Sequence, residues 1–402
     1  MRMTTKVSLG LFLVGSSLYC REAGATTDMP SPFDARSVGL GGTGASFIEN
    51  GASVYLNPAA LDGIKTFAGT LVLSPMQPTL TAPLAPPPMN TSVQADSAFF
   101  PLFLAGAGFR LSDRIVGGVA VYPTAGFGAT YAKAIGGEDL SLSVAQLEAA
   151  PALSVKIIDG LSLGLSYRIT YTRQSVHQPP PLAPMSTDVN LDGLNFFGIQ
   201  AGLYFRPADV VHLAFTYRSR VDTELSGTSE SGGMKFDTKS AFNSPNRFRL
   251  GASITPPGVP LLVAADIQYH LYAASNQTQD ITITTPGGPV TTTQRLDWKN
   301  TLAFGLGVEY AVAPIVPVRL GYSLSQSATP ESTANPFSPT PGVIHGIHLG
   351  FGIKLPLIDL DAGGMYSFVS KTIDPSPSTM MVLPGDYKMR TLLFSVSATY
   401  HM

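Results

Sequence analysis

Along the last segment of the chain Leu392, Phe394, Val396, Ala398, Tyr400 and Met402 alternate with Thr391, Ser395, Ser397, Thr399 and His401, and only Leu393 breaks the pattern. The same alternation runs through 301–310, where Leu302, Phe304, Leu306, Val308 and Tyr310 interleave with Thr301, Ala303, Gly305, Gly307 and Glu309. It recurs over 211–221, with Val211, Leu213, Phe215, Tyr217 and Val221 against His212, Ala214, Thr216, Arg218 and Arg220. An amphipathic helix needs a period of about 3.6, whereas a period of two marks a strand with one apolar face.

Extending this reading predicts strands at 64–74, 99–110, 115–122, 143–156, 161–174, 194–206, 209–224, 246–254, 260–273, 299–312, 316–325, 343–354, 357–369 and 391–401. Their connections alternate in length. Short turns fall near Ser112-Asp113, Asp159-Gly160, Pro207-Ala208, Pro256-Pro257-Gly258, Pro314-Ile315 and Pro356. Long Pro/Ser/Thr/Asn-rich linkers fall at 75–98, 123–142, 175–193, 225–245, 274–298, 326–342 and 370–390. The expected fold is all-β: a 14-stranded antiparallel transmembrane β-barrel over 64–402, with long loops outside and both termini periplasmic. Lipid satisfies no backbone N–H, so a sheet in a membrane must close. A barrel of this size has a lumen too wide for side chains alone to fill. Residues 26–63, preceding the first strand, are expected to fold into it as a short N-terminal plug.

The plug stretch runs from Ser37 to Leu61. Gly39, Gly41, Gly42 and Gly44 permit close backbone approach and positive φ. Pro58 lacks an N–H and pushes Asn57 out of the helical region, so a helix ends there. Gly39, Gly41 and Gly44 also satisfy G-x-G-x-x-G, but no strand precedes them and no βαβ alternation follows, which argues against a dinucleotide site.

Composition agrees with the barrel. Only 13% of the 402 residues are charged, against roughly 25% in soluble domains. The formal net charge is −2, and no basic stripe points to nucleic acid. Residues 1–25 read as a signal peptide: Arg2 and Lys6, then an apolar run from Val7 to Tyr19, then Ala23-Gly24-Ala25. Cleavage after Ala25 would remove Cys20, the single cysteine. No hydrolase or metal motif occurs, and His345 and His348, three apart on a strand, face opposite sides. His212 and His270 fall on lumen faces and are expected to be solvated.

The stretch ARSVGLGGTGASFIENGASVYLNPAAL resembles the N-terminal region of the FadL/TodX family. The resemblance continues through Phe215-Thr-Tyr-Arg-Ser-Arg-Val221, Asp297-Trp-Lys-Asn-Thr301 and Val318-Arg-Leu-Gly-Tyr322. It implies an outer-membrane channel of a Gram-negative bacterium for long-chain fatty acids or other hydrophobic compounds, without cofactor or energy coupling. It also implies that the family's plug motif lies at Asn57, Pro58 and Ala59. The implied exit is an inward kink of the third strand, opening the wall beside that motif and releasing substrate sideways into the membrane. Pro123, which cannot join a ladder, and Gly126 and Gly128, which tolerate bulges, are the kink candidates. Ala59 is then expected to face Gly126 across a small gap.

By parity Arg168, Arg206, Arg218, Arg220, Arg247, Arg249 and Arg319 face inward. They are expected either to attract a substrate carboxylate or to pair with inward acids and brace the plug. With Ile254 opposite Leu261, Arg249 would lie opposite Asp266. Hydrophobic small molecules, outer-membrane lipid and lipopolysaccharide are the expected partners of a monomer. The alternative is a plugged barrel with a structural or adhesive role through its loops.

Overall fold

The computed structural model describes residues 34–85, 92–96, 99–135, 137–180, 185–375 and 382–402. The expected leader and residues 26–33 lie outside the described residues. Fourteen strands form a closed antiparallel wall. They are β1 (Phe67–Pro83), β3 (Phe100–Ser112), β4 (Ile115–Ile135), β5 (Glu138–Ile158), β6 (Leu161–Gln178), β7 (Thr187–Ala208), β8 (Val211–Arg218), β11 (Arg247–Ile254), β12 (Leu261–His270), β15 (Thr301–Ala313), β16 (Val316–Gln326), β17 (Val343–Lys354), β18 (Ile358–Ile373) and β19 (Gly385–His401). Closure comes from β19, which pairs with β18 on one side and with β1 on the other, from Ala68↔His401 to Thr81↔Lys388.

Each of the fourteen expected strands has its counterpart, and the alternation sets the faces. On β15 Leu302, Phe304, Leu306 and Val308 are exposed while Thr301, Ala303, Gly305 and Gly307 are buried. The outer apolar face meets lipid, and the wall leaves no edge except at one place described below.

Several segments expected to be loops are strands instead. β1, β4 and β5 run well into 75–98 and 123–142. The 225–245 linker is a hairpin of β9 (Val221–Ser231) and β10 (Met234–Ser244), and 274–298 holds a second, β13 (Thr278–Thr285) with β14 (Gly288–Arg295). A short strand, β2 (Ser92–Gln94), adds to the top of β1. Gly232 and Gly233 turn the first hairpin with φ of 56° and 78°, the conformation a two-residue hairpin turn requires.

The N-terminal segment from Asp34 to Ile64 lies inside the wall at the short-turn end. It comprises α1 (Ala35–Gly39), α2 (Ser53–Leu56) and a 3₁₀-helix (Pro58–Gly63). Its apolar side chains, among them Val38, Leu40, Ile48 and Leu56, pack on inward residues of the wall such as Val72, Leu104 and Val116. A separate apolar cluster fills the long-loop end, drawn from β1, β4, β5, β6, β17, β18 and β19.

Candidate functional site

The N-terminal segment is fastened by its backbone as much as by its side chains. Asp34 caps α1, accepting from Ser37 N at 3.0 Å. Burial, with the Asp361 carboxylate nearby, pushes the Asp34 carboxyl above its usual range, and the Ser37 hydrogen bond pulls the other way. Asn57 caps the 3₁₀-helix, accepting from Ala59 N at 3.1 Å, and its Nδ2 donates to Ala45 O at 3.0 Å and Leu203 O at 3.1 Å. Ser154 Oγ donates to Ala59 O at 2.9 Å. This approach needs wall residues without side chains: a Cβ on Gly164 would fall 2.2 Å from Ala59 N, and one on Gly202 2.2 Å from Asn57 Oδ1.

Asn57, Pro58 and Ala59 therefore sit on β5, β6 and β7, not beside the third wall strand's upper half. Ala59 is level with Ser154, which pairs with Val116 of β4, whereas Gly126 pairs with Ala145 of β5. Ten residues along β4 separate the two levels, roughly 30 Å at strand rise. Ala59 does not face Gly126.

A belt of ion pairs surrounds the segment. Glu148, buried, binds Arg168 at 3.0 Å and Arg218 at 2.6 Å. Arg168 also donates to Ile199 O and Ser219 O. Arg218 lies over the Tyr55 ring of the N-terminal segment, 4.8 Å from its centroid. Across the lumen Glu309 joins Arg319 of the wall to Arg36 of the segment, at 2.6 and 2.7 Å, and Arg206 binds Asp62 at 2.9 Å. Arg247 lines a small cavity with Tyr55, Arg218 and Arg249.

The expected Arg249–Asp266 contact exists, at 3.9 Å, but through a different register. Ile254 pairs with Val263, so Gln268 lies opposite Arg249 and Gly251 opposite Asp266. The two-residue shift keeps both side chains on the lumen face and makes them diagonal neighbours. Asp266 does more than meet an arginine: its Oδ2 accepts from Gly44 N at 3.2 Å and Ala45 N at 3.3 Å.

Arg220 departs from the parity reading. The regular ladder is interrupted at Ser219-Arg220, between β8 and β9, and the phase resets. The Arg220 guanidinium binds Asp222 and Ala274 O on the exposed side. His270 is buried rather than solvated, against Tyr272, and His212 meets the Tyr204 hydroxyl. His348 Nδ1 donates to Val38 O, 2.7 Å away, because a carbonyl oxygen only accepts.

The wall is incomplete between β3 and β4. Their ladder runs from Ser112↔Ile115 to Ala105↔Val121 and stops there. Below and beyond that point β3 stays paired with β1, as far as Met76↔Phe100. β4 does not end at Tyr122 as expected; it continues to Ile135 on β5, with a bulge between Pro123 and Ala125. Gly126 and Gly128 keep ordinary pairing on β5, with Ala145 and Ser143. The break is thus one-sided. A single bridge, Asp96↔Thr130, rejoins this stretch at the top. Among the described residues no ladder joins β4 to β3 between those two points. The Phe100 ring reaches across, and a Cβ on Gly128 would lie 3.2 Å from its Cζ.

This gap borders the upper apolar cluster. Phe127 and Ala129 of β4, Leu142 of β5, Val176 of β6 and Ile344 of β17 pack together in that cluster, joined by Phe337 from the β16–β17 connection. Its floor is polar: Gln146 binds Thr124, Thr172 and Ser244. Glu148, Phe100, Tyr131 and Phe337 were not singled out from the sequence. Strand parity alone would have placed Glu148 inward, but nothing in the sequence pattern marks Phe337. Among the described residues no group of three or more His, Cys, Asp or Glu is arranged to hold a metal.

A closed, outward-apolar barrel of fourteen strands, with a filled lower lumen and an apolar upper one, defines an outer-membrane transport protein. The chain belongs to the outer membrane protein transport protein family (OMPP1/FadL/TodX), whose model matches residues 31–402. Its fold is similar to that of a Pseudomonas aeruginosa FadL homologue, at 18% identity and a TM-score of 0.76, over 93% of this chain and 99% of that one. It is also similar to the P. putida toluene transporter TodX, at 16% identity and a TM-score of 0.74 over 93% and 99%. The Ralstonia pickettii toluene transporter TbuX gives 15% and 0.72 over 92% and 98%. At these identities the likeness is one of fold. No curated protein sequence matches the chain significantly.

Proposed function

We propose that this protein is a passive channel through which uncharged hydrophobic compounds enter the outer membrane, leaving sideways through the β3–β4 gap. The observation that carries this reading is the one-sided break in the wall beside the upper apolar cluster, which on this reading serves as the binding chamber. An unpaired strand edge facing lipid is costly, so a break of several residues in an otherwise continuous ladder needs a reason. Residues 34–64 act as the plug, closing the straight route to the periplasm, and Phe100 is the side chain that stands in the side door.

The arginines support a neutral substrate. Arg168, Arg218, Arg249 and Arg319 lie below the chamber and already have carboxylates within 4 Å. They brace the wall and the plug. The channel works as a monomer, since each barrel holds a complete path, with its long loops in the lipopolysaccharide layer.

The test closes the door. The chain's one cysteine, Cys20, lies in the expected leader, so Phe100→Cys with Gly128→Cys can be bridged specifically by a short bifunctional maleimide. Bridged cells should bind a hydrophobic dye at the barrel but admit it at a small fraction of the unbridged rate. Full-rate entry through a barrel whose bridge is demonstrated by mass spectrometry would mean that substrate leaves by another route.

A further inference from the structure

The connection between β16 and β17, residues 327–342, does not behave as a surface loop. Its tip turns inward and places Phe337, 2% exposed, and Ala334, 1% exposed, in the upper apolar cluster. The Phe337 ring meets Tyr131 of β4 edge-on, with centroids 5.7 Å apart. The Tyr131 hydroxyl donates to Pro336 O at 2.7 Å.

The tip is also self-contained. Asn335 Oδ1 accepts from Phe337 N at 3.0 Å and Ser338 N at 2.9 Å, and Ser338 Oγ accepts from Asn335 N at 2.9 Å. Three N–H groups and the Asn335 carbonyl are thus satisfied within the knob itself, and only Pro336 O depends on the wall, so the knob can move as one piece at the cost of that single bond. The base is fixed. Ser327 N donates to Gly342 O and Lys299 N to Ala328 O, both at 2.9 Å. Ala328 packs on Trp298 and Tyr272. The knob meets the wall at the Tyr131 ring and hydroxyl, while the chain before it is tied down by Thr333 Oγ1 to Leu296 O and by the Lys371–Glu331 pair, both at 2.6 Å, which leaves the Asn335–Ser338 turn as the part that can swing.

We propose that Phe337 is a resident stand-in for substrate: its ring occupies the binding chamber, and an incoming compound loads by displacing the Asn335–Ser338 knob. This rests on the channel reading above and adds to it a selector. A ligand loads only when its own apolar contacts replace those of a benzyl group against Tyr131 and the chamber wall, which favours ring-sized hydrophobic compounds over smaller ones.

Two measurements test it. In cells, entry of the dye N-phenyl-1-naphthylamine should rise several-fold in Phe337→Ala and by less in Phe337→Leu, with Tyr131→Phe giving a smaller rise still. In purified protein, Thr340→Cys, at a site 2% exposed, should react slowly with a water-soluble maleimide. Toluene should accelerate that reaction at least tenfold, and Phe337→Ala should make it fast without toluene. Heat-modifiability of each variant on gels establishes that the barrel is folded; were Phe337→Ala to fail there, Phe337→Leu and Tyr131→Phe carry the same comparison. Dye entry unchanged in the folded Phe337 variants, while the Phe100–Gly128 bridge still blocks entry, would overturn the resident-ligand proposal and leave the channel standing. Thr340→Cys labelling indifferent to toluene would overturn it equally. Dye entry in wild-type cells no faster than in cells lacking the protein would overturn both readings.

Discussion

The lower and upper halves of the lumen are lined by the same strands and share an apolar packing, but buried ion pairs are added to it in the lower half and apolar contact dominates the upper. On β5 the inward positions Leu140, Leu142 and Val144 belong to the upper apolar cluster, whereas Glu148 and Ser154 below them hold arginines and the Ala59 carbonyl. On β4 Val116 and Ala120 pack against the N-terminal segment, and Phe127 and Ala129 belong to the upper apolar cluster. The lower half is held by specific charged and backbone hydrogen bonds, each of which leaves a buried group exposed to a desolvation penalty when its partner is removed. The upper half is held by non-directional apolar contact, which a mobile ligand or a mobile loop can replace.

That contrast predicts unequal consequences for substitutions of equal size. Glu148→Ala should cost the most, roughly 3–5 kcal/mol, because it strands both Arg168 and Arg218 in the lumen. The measurement is the midpoint of urea unfolding in detergent or bilayer, and adding Arg168→Met should recover part of the loss. Simple additivity of the two would show that the belt does not act as a unit. Asp266→Ala should cost somewhat less, about 2–4 kcal/mol. Here Arg249→Met should rescue only partly, since Gly44 N and Ala45 N lose their acceptor whatever happens to the arginine; full rescue would break the assignment of Asp266 as a backbone anchor.

Gly164→Ala should displace the Asn57-Pro58-Ala59 turn from the wall, costing roughly 1–3 kcal/mol. Limited proteolysis should then cut within 34–64 in folded barrels; a wild-type digestion pattern would mean that the turn is not held there. Gly128→Ala is the smallest. The new methyl would lie 3.1 Å from Leu142 O, 3.2 Å from Phe100 Cζ and 3.3 Å from Ser143 Cβ, so both the ring and the β5 backbone must give by a few tenths of an ångström, and stability should fall by no more than about 1 kcal/mol. Dye entry should nonetheless change measurably, because the ring stands in the wall gap. Loss of stability without any change in entry would invert the comparison at that site.

Much of this arrangement was readable in advance. The period of two named every wall strand, and the parity it carries put Arg168, Arg218, Arg249, Arg319 and Asp266 inside. Gly232-Gly233 between Ser231 and Met234 was a legible hairpin signal within what looked like a long loop. Parity failed where regularity failed: at Arg220, after an interruption in the ladder, and at the β11–β12 register, where a slip of two residues leaves every face unchanged. A pattern of faces cannot distinguish registers that differ by an even number.

The sequence by itself determined the outer-apolar strands, their number, the closure that lipid demands of them, and the N-terminal segment too small to fold alone. These follow from local rules: side-chain alternation, turn chemistry and the cost of an unsatisfied N–H. Only the tertiary structure decided that Asn57-Pro58-Ala59 rests on β5, β6 and β7, some ten residues below the level of Gly126. It alone decided that β4 keeps β5 along its whole length and loses β3 above Val121, and that Phe337 is buried in the upper apolar cluster. Each of these is a meeting of residues remote in the chain, fixed by which backbone can approach which glycine and which ring fits which space. Such matches are properties of three-dimensional shape, and alternation along one strand carries no record of them.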